Sequence, residues 1–94
     1  MATITDIATL IARSPEICGN RPCIAGTRVS VQQIALLHRE GLRPIDILND
    51  YEFLNLAQIY SALAYYYANQ SEIESYLEED AAAYDYLVAK QTAE

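Results

Sequence analysis

The central part of the sequence, residues 30–68, reads SVQQIALLHREGLRPIDILNDYEFLNLAQIYSALAYYYA. It predicts three helices, each with its own start signal. Residues 30–33 fit a capping box at the start of the first helix, and Gly41 suits the left-handed position that ends it. Pro44 suits the first turn of a short second helix. Asn55 is placed to cap a third helix that fills the rest of the stretch. This spacing is typical of a helix-turn-helix or homeodomain-like three-helix core.

The apolar face of each helix follows from a turn of about 100° per residue. The residues predicted to face the core are Val31, Ile34, Leu37 and His38 in the first helix, Ile45 and Leu48 in the second, and Leu56, Ile59, Tyr60, Leu63 and Tyr67 in the third. His38 is therefore predicted to be a packed, hydrogen-bonded side chain, because a catalytic base would need a nucleophile or carboxylate beside it.

The chain before this stretch predicts short irregular elements. Residues 4–12 fit either a helix capped by Thr5 or, at their end, a short strand. Residues 17–31 predict irregular strands around tight turns at Gly19-Asn20 and Ala25-Gly26. The alternative at residues 4–12 stays open at this point.

The chain after this stretch predicts a fourth helix, which a second capping box starts at Ser71. Its predicted apolar face consists of Ile73, Tyr76, Leu77, Tyr84, Leu87 and Val88. We therefore predict one mainly α domain over residues 1–94. It has a homeodomain-like helix-turn-helix core of three helices, a short N-terminal β-hairpin and an extra C-terminal helix over residues 70–90.

The charge of the 94 residues is divided unevenly along the chain. Residues 1–47 carry a net charge of +1, whereas residues 48–94 carry −8 and contain all eight tyrosines and the one phenylalanine. A nucleic-acid-binding protein usually has an excess of Lys and Arg, so strong nonspecific binding to nucleic acid is not expected. The chain has no apolar run of about 18 residues and no basic start typical of a signal peptide, which predicts a cytoplasmic protein.

No pattern of residues predicts an enzyme. The chain has no glycine-rich phosphate loop, no Ser/His/Asp set in local context and no metal-ligand spacing. Cys18 and Cys23 are interpreted as reduced thiols, since no secretory signal is seen. A zinc site usually needs four ligands, and only His38 is near. We therefore predict no catalytic residue, no metal site and no cofactor.

The tyrosines predict a protein partner. Three consecutive helical residues sweep about 200°, so Tyr65 points away from a core that contains Tyr67. Tyrosine combines a large apolar area with a polar tip and is common in interfaces. Tyr65 and Tyr86, which also falls outside the apolar face of its helix, are predicted to lie in an interface such as that of a homodimer. The acidic run at residues 78–80 fits either a solvated surface or contact with a basic partner.

DNA contact is the alternative that the helix-turn-helix spacing keeps open. The base-reading face of the third helix would offer Asn55, Gln58 and Ser61, of which Asn and Gln can bind adenine. The helix has no Lys or Arg for phosphates, so only weak or assisted DNA binding is expected.

The stretch SPEICGNRPCIAGTRVSV, residues 14–31, resembles the opening of the domain of unknown function 433 family. Four later motifs are similar to later parts of the sequence pattern of this family: EGL at 40–42, ILNDY at 47–51, LNLAQI at 54–59 and ALAY at 62–65. The resemblance covers about residues 9–67. Arg43 stands where the family usually has a small capping residue, and the acidic tail beyond Gln70 lies outside the resemblance.

The resemblance implies a homeodomain-like, winged-helix-like fold that is often dimeric and occurs in small bacterial proteins. Many members look like antitoxins that bind and inhibit a nuclease with the fold of the PilT N-terminus, encoded beside them, and repress their own operon. Arg21 and Arg28 match the family motif, and a carboxylate-lined nuclease site would attract them. The resemblance favours an antitoxin-like binding module, and a transcription regulator without a toxin or an oligomeric scaffold is the alternative.

Overall fold

The computed structural model describes residues 6–92 and is mainly helical. In chain order the elements are a 3-10 helix at Ile7–Leu10, strand β1 at Ile11–Ala12, a 3-10 helix at Cys18–Asn20, strand β2 at Cys23–Ile24 and the helices α1 (Val31–Arg39), α2 (Pro44–Asp50), α3 (Leu56–Ala68) and α4 (Gln70–Thr92). The predicted fold class is confirmed: a three-helix core of α1, α2 and α3 carries a short antiparallel β-hairpin and an additional C-terminal helix.

The segment that fitted both helix and strand contains both, one after the other. The first 3-10 helix is followed directly by β1, which pairs antiparallel with β2 in the register Ile11 to Ile24. The carboxylate of Asp6 caps this 3-10 helix by accepting a hydrogen bond from the Ala8 N–H at 3.0 Å. The predicted cap, Thr5, lies outside the described residues.

Helix α1 begins and ends at the predicted signals. The Ser30 hydroxyl accepts a hydrogen bond from the Gln33 N–H at 3.2 Å, which is the Ser30 half of the predicted capping box. Gly41 has φ +97°, in the left-handed region that favours glycine, and the Leu42 N–H donates to the Leu37 carbonyl at 3.1 Å. These bonds satisfy backbone groups that a helix end leaves free.

Helix α2 begins at Pro44, as predicted, and Arg43 occupies the N-cap position before it. The Arg43 N–H donates to the Asp46 carboxylate at 3.0 Å, and the Arg43 guanidinium pairs with the same carboxylate. The departure from the family pattern at Arg43 therefore leaves the helix start capped. At the other end α2 leads into a turn, after which Asn55 caps α3, also as predicted.

The core forms where α1, α2 and α3 meet, with β2 and the first turns of α4 completing it. Its fully buried side chains include Ile24, Val31, Ile34, Ile47, Ile59 and Ile73. Burial of large aliphatic side chains is the main favourable contribution to folding in a domain of this size.

The predicted inward face of α3 is partly wrong. Ile59 and Leu63 are buried as predicted, but Leu56 and Tyr60 are exposed, and Tyr67 is 58% exposed. The buried tyrosine of the triplet is Tyr66, which is 3% exposed. The face of α3 that packs against the core is therefore rotated around the helix axis relative to the predicted face, which was drawn through the large apolar residues alone.

The reason lies in the central position of α3. This helix contacts α1 and α2 as well as β1, β2 and the first 3-10 helix. Small residues allow such close neighbours, and Ala62 and Ser61 are accordingly buried. The two tyrosines assigned to the core lie at the edge of this arrangement, where a ring can reach solvent.

The predicted inward residues of α2 also need a correction. Ile45 is 47% exposed, whereas Ile47 is fully buried and Leu48 is half-buried. A seven-residue helix with three closely spaced aliphatic residues has no unambiguous apolar face, so its packing against α1 and α3 decides which of them is covered.

Candidate protein-binding surface

Helix α4 is fixed to the three-helix core by a cluster of polar side chains near its start, which we call the Glu72 cluster: Arg13, Tyr65, Glu72 and Tyr76. Arg13 forms an ion pair with Glu72 and donates to the Tyr65 hydroxyl at 2.6 Å. The Tyr65 and Tyr76 hydroxyls both donate to the Glu72 carboxylate, at 3.0 and 2.6 Å. An arginine from the N-terminal segment thereby connects α3 and α4.

The charge state of this cluster follows from its hydrogen bonds. Burial tends to raise the pKa of Glu72, but hydrogen bonds from Tyr76, Arg13 and Tyr65 together outweigh it and hold that pKa below its ordinary value. Burial raises the pKa of Tyr65, so its hydroxyl stays protonated and can donate. The cluster is therefore an ionised carboxylate that is surrounded by donors.

Arg21 forms a second attachment, about two turns further along α4. Its guanidinium bonds to Asp80 at 2.8 Å and Glu79 at 2.9 Å, and it lies 4.6 Å from the centre of the Tyr76 ring. The hydrogen bond to Asp80 is the main cause of the raised pKa of Arg21. Arg21, which was predicted to bind a partner, is thus engaged within the chain in this structure.

Beyond this attachment, helix α4 leaves the rest of the molecule. Every residue from Glu78 to Gln91 is exposed. We call residues 81–91 distal α4; they include Tyr84, which is 69% exposed, and Tyr86, which is 67% exposed. The predicted apolar face of α4 is therefore buried only at its start, around Ile73, and continues outward as an exposed surface.

A cleft of about 700 Å³ lies in the angle between α1 and α4, and we call it the α1–α4 cleft. The apolar side chains that line it are Leu36 of α1 and Leu77, Ala81 and Tyr84 of α4. Leu77 is half-buried and the other three are exposed. The sequence assigned Tyr84 to the apolar face of α4 together with Leu77. Both line this cleft, but the rest of the domain ends before it reaches Tyr84, which is exposed.

The two tyrosines predicted to bind a partner occupy different environments. Tyr65 is half-buried in the Glu72 cluster, and Tyr86 is exposed on distal α4. The structure does not bring them together. Leu36 was not predicted to have a role, and it is exposed in this cleft. Its position on α1 could not indicate this, because the cleft forms only when α4 packs beside α1.

Two of the three residues predicted to contact DNA, Asn55 and Gln58, form the cap of α3. Asn55 Oδ1 accepts from the Gln58 N–H at 2.9 Å, and Gln58 Oε1 accepts from the Asn55 N–H at 2.8 Å. Ser61 is buried. Bidentate recognition of adenine uses the amide oxygen as well as the amide nitrogen, and both oxygens already accept one backbone hydrogen bond in this cap.

Most of the arginines already form ion pairs within the chain. Arg13, Arg21 and Arg43 all lie in ion pairs with carboxylates. Within residues 6–92, Arg28 and Arg39 are the arginines outside these ion pairs, and both are exposed. Only these two arginines of the described residues are therefore outside ion pairs and available for a phosphate backbone.

His38 is hydrogen-bonded, as predicted. Its Nε2 lies 2.5 Å from the Tyr67 hydroxyl, and the two rings meet edge to face at 82°. In the part of the chain that the structure describes, no three His, Cys, Asp or Glu side chains are grouped to hold a metal ion. None of the described helices has both the length and the apolar character that crossing a bilayer requires.

The two cysteines are free thiols with different surroundings. Cys18 is half-buried, and its Sγ donates to the Arg28 carbonyl at 3.2 Å. Burial, together with the neighbouring Cys18, raises the pKa of the Cys23 thiol to about 12. Because the thiolate is the reactive form, Cys23 is protected both by burial and by protonation.

We expect alkylation to separate these cysteines. In the folded protein, iodoacetamide should modify a C18S variant, which retains Cys23, at least about tenfold more slowly than a C23S variant, which retains Cys18. Mass spectrometry over a time course measures both rates, and labelling in urea, where the two rates should converge, is the control. Equal rates in the folded variants would contradict the environment described for Cys23.

Comparison with known proteins agrees with the resemblance seen in the sequence. Residues 11–66, more than half of the chain, match the family described as protein of unknown function (DUF433). The chain belongs to this family. The matched residues include the β-hairpin and α1 to α3 up to Tyr66, so α4 of this DUF433 protein lies outside the matched segment.

A solved structure shows the same fold. The crystal structure of a DUF433 member from Anabaena variabilis ATCC 29413 superposes on this DUF433 protein with a TM-score of 0.71 at 24% sequence identity. The similarity covers 74% of this chain and 69% of that one. No curated protein matches the chain. The comparisons therefore establish family and fold and assign no activity.

Proposed function

We propose that this DUF433 protein is a non-enzymatic, antitoxin-like binding module. In this proposal it acts in the cytoplasm as a homodimer and binds and inhibits a nuclease-type toxin encoded nearby. The observation that carries the proposal is distal α4, a helical segment that extends from the core with Tyr84 and Leu87, about 60° apart around the helix, both more than half exposed. Exposed apolar groups that lie together typically mark an interaction site.

Charge favours a protein partner over nucleic acid. Helix α4 carries six carboxylates against Lys90, and a phosphate backbone would repel such a surface. The amide oxygens of Asn55 and Gln58 are used in capping α3, and most arginines are held in ion pairs. Arg28 is exposed and outside the ion pairs, which leaves it suited to meet the acidic site of a metal-dependent nuclease.

Co-expression with the product of the neighbouring gene tests the proposal. With an affinity tag on this chain, a nuclease-type product should be recovered in the complex, and its cleavage of RNA should fall as this chain is added. A tagged chain that recovers none of that nuclease, when both are expressed and folded, would refute the proposal. A mobility shift of the promoter fragment at low salt without any protein complex would favour the transcription regulator instead.

A single substitution sharpens this test. Replacing Arg28 with alanine should weaken inhibition of the nuclease at least about tenfold, because the carboxylates of its site would lose their cationic partner. The matched control is Arg43→Ala, which removes another exposed arginine that already pairs with Asp46. Titration of nuclease activity against each variant gives the two inhibition constants, and equal constants would exclude Arg28 from the interface.

A further inference from the structure

We infer that the α1–α4 cleft is a docking site for a basic amphipathic helix of a partner protein. The inference deepens the proposed function, on which it rests for the biological partner, by stating which surface binds and what chemistry the partner presents. One side of the cleft is formed by α1, within the family-matched residues 11–66, and the other by α4, which lies beyond them.

The shape of the cleft suits a helix. Leu77, Ala81 and Tyr84 recur at intervals of four and three residues, so they form one stripe along α4. Leu36 lines the same cleft from α1, so the apolar side chains of the cleft come from two helices. A helix that docks in a groove contributes apolar residues at the same intervals, which allows the two surfaces to interlock.

The charge of the cleft specifies a basic partner. Five carboxylates line it, against the single guanidinium of Arg39. Asp80 is neutralised by Arg21, but Glu40, Glu78 and Asp85 are exposed and belong to none of the ion pairs among residues 6–92. Lysines or arginines flanking the apolar stripe of a partner helix would meet these three carboxylates at the rim.

A polar group in the same cleft also lacks a partner. Gln32 lines the cleft from α1, is 8% exposed, and its Oε1 has no hydrogen-bond donor among the described residues. A buried acceptor without a donor is unfavourable, and a Lys or Arg side chain carries several donors and no acceptor. Because this oxygen is closed to solvent, a basic partner would supply the donor only once the Gln32 amide turned outward into the cleft.

The charge of the chain argues against a second copy as the occupant. Each chain carries a net charge of −7, and the helix that would have to enter the cleft of its neighbour is itself acidic. Like charges brought together at an interface oppose binding. A homodimer in which Tyr86 takes part would use another face of α4, because Tyr86 lies about 160° around the helix from Tyr84.

A designed peptide tests the cleft without any toxin. The probe is a fluorescently labelled helix of about 14 residues with leucines at the helical repeat and lysines elsewhere, and its counterpart has glutamates in place of the lysines. In anisotropy titrations against the full chain, the lysine peptide should bind at least about tenfold more tightly than the glutamate peptide. Equal binding of both peptides, or none, would overturn the inference.

Paired variants separate the cleft from the general field of an acidic protein. The double variant E78K/D85K should weaken binding of the lysine peptide at least about tenfold, whereas D50K/E52K, with the same net charge and both sites outside the cleft, should change it less than about threefold. Equal weakening by both double variants would show nonspecific attraction and overturn the inference.

The two exposed tyrosines of distal α4 provide the second matched pair. Y84A should weaken peptide binding at least about fivefold, and Y86A, at nearly the same exposure on another face, should leave it unchanged. If Y84A instead converted a dimer to a monomer in light scattering without affecting the peptide, the cleft would be a self-association site and the inference would be wrong. Peptide binding without recovery of a nuclease would refute the proposed function alone.

Discussion

Replacing Ile34 with alanine should lower the free energy of unfolding by about 2–5 kcal/mol. Ile34 is completely buried in the core, on the helix that packs against α2, α3 and α4. The substitution removes apolar atoms from contact and leaves a cavity that a close-packed core fills only partly. Because small domains have a total stability of about 5–15 kcal/mol, this loss would be a large share of it.

The matched control for this substitution is Ile45→Ala, which removes the same atoms from a helix at a position that is 47% exposed. Its expected loss is below about 1 kcal/mol. Urea unfolding followed by circular dichroism measures both variants on the same scale. Similar losses at the two positions would contradict the packing of α1 and α2 described above.

Replacing Glu72 with alanine should lower the free energy of unfolding by about 1–3 kcal/mol, because three donors then lose their shared acceptor. These donors are the Arg13 guanidinium and the hydroxyls of Tyr65 and Tyr76, which hold the start of α4 against the core. Glu52→Ala is the control, since Glu52 is exposed and outside the ion pairs of the described residues. The same urea measurement applies, and a loss no greater than that of the control would exclude a structural role for the cluster.

The effect of Glu72 should depend on pH in a defined direction. The pKa of this carboxyl is held below its ordinary value of about 4.5, so the folded state favours the ionised form. The resulting stabilisation is fully present above pH 4.5 and is lost as the pH falls through the lower, folded-state pKa. The E72Q variant lacks this stabilisation by the ionised carboxylate, so the difference in free energy of unfolding between wild type and E72Q should shrink on acidification. A difference that stays constant from neutral to acidic pH would contradict this assignment.

The starts of α1, α2 and α3 and the end of α1 could be predicted because their signals are local, whereas the capping box predicted at Ser71 is wrong, since α4 already begins at Gln70, directly after α3. Ser30, Gly41, Pro44 and Asn55 each act within a few residues through backbone hydrogen bonds or a restricted φ angle. Such interactions form in the same way whatever the rest of the chain does. The family resemblance added the arrangement of these helices, which local signals alone leave open.

The inward faces of the helices were predicted less well, because burial depends on neighbours that are distant in sequence. The large apolar residues of α3 indicated Tyr60 and Tyr67, but the helices and the hairpin around α3 cover Tyr66 and the small Ala62 instead. In α4 the apolar residues were predicted to be buried along the whole helix, but those beyond Leu77 are exposed, since the core ends near that residue. A periodic pattern shows which residues share a face, and it does not show what lies against that face.

The sequence by itself determined where α1, α2 and α3 start, and it divided the chain into a near-neutral front and an acidic, tyrosine-rich back. Only the tertiary structure decided how the two parts are joined: Arg13 and Arg21 of the front hold α4 through carboxylates 58 and 59 residues away. Ion pairs between such distant residues have no signature in local sequence, because the fold must first bring the partners together. The same pairing withdraws these arginines from a partner. Distal α4, on which the proposed function rests, and the α1–α4 cleft, on which the docking of a basic helix rests, remain exposed because the core ends before them.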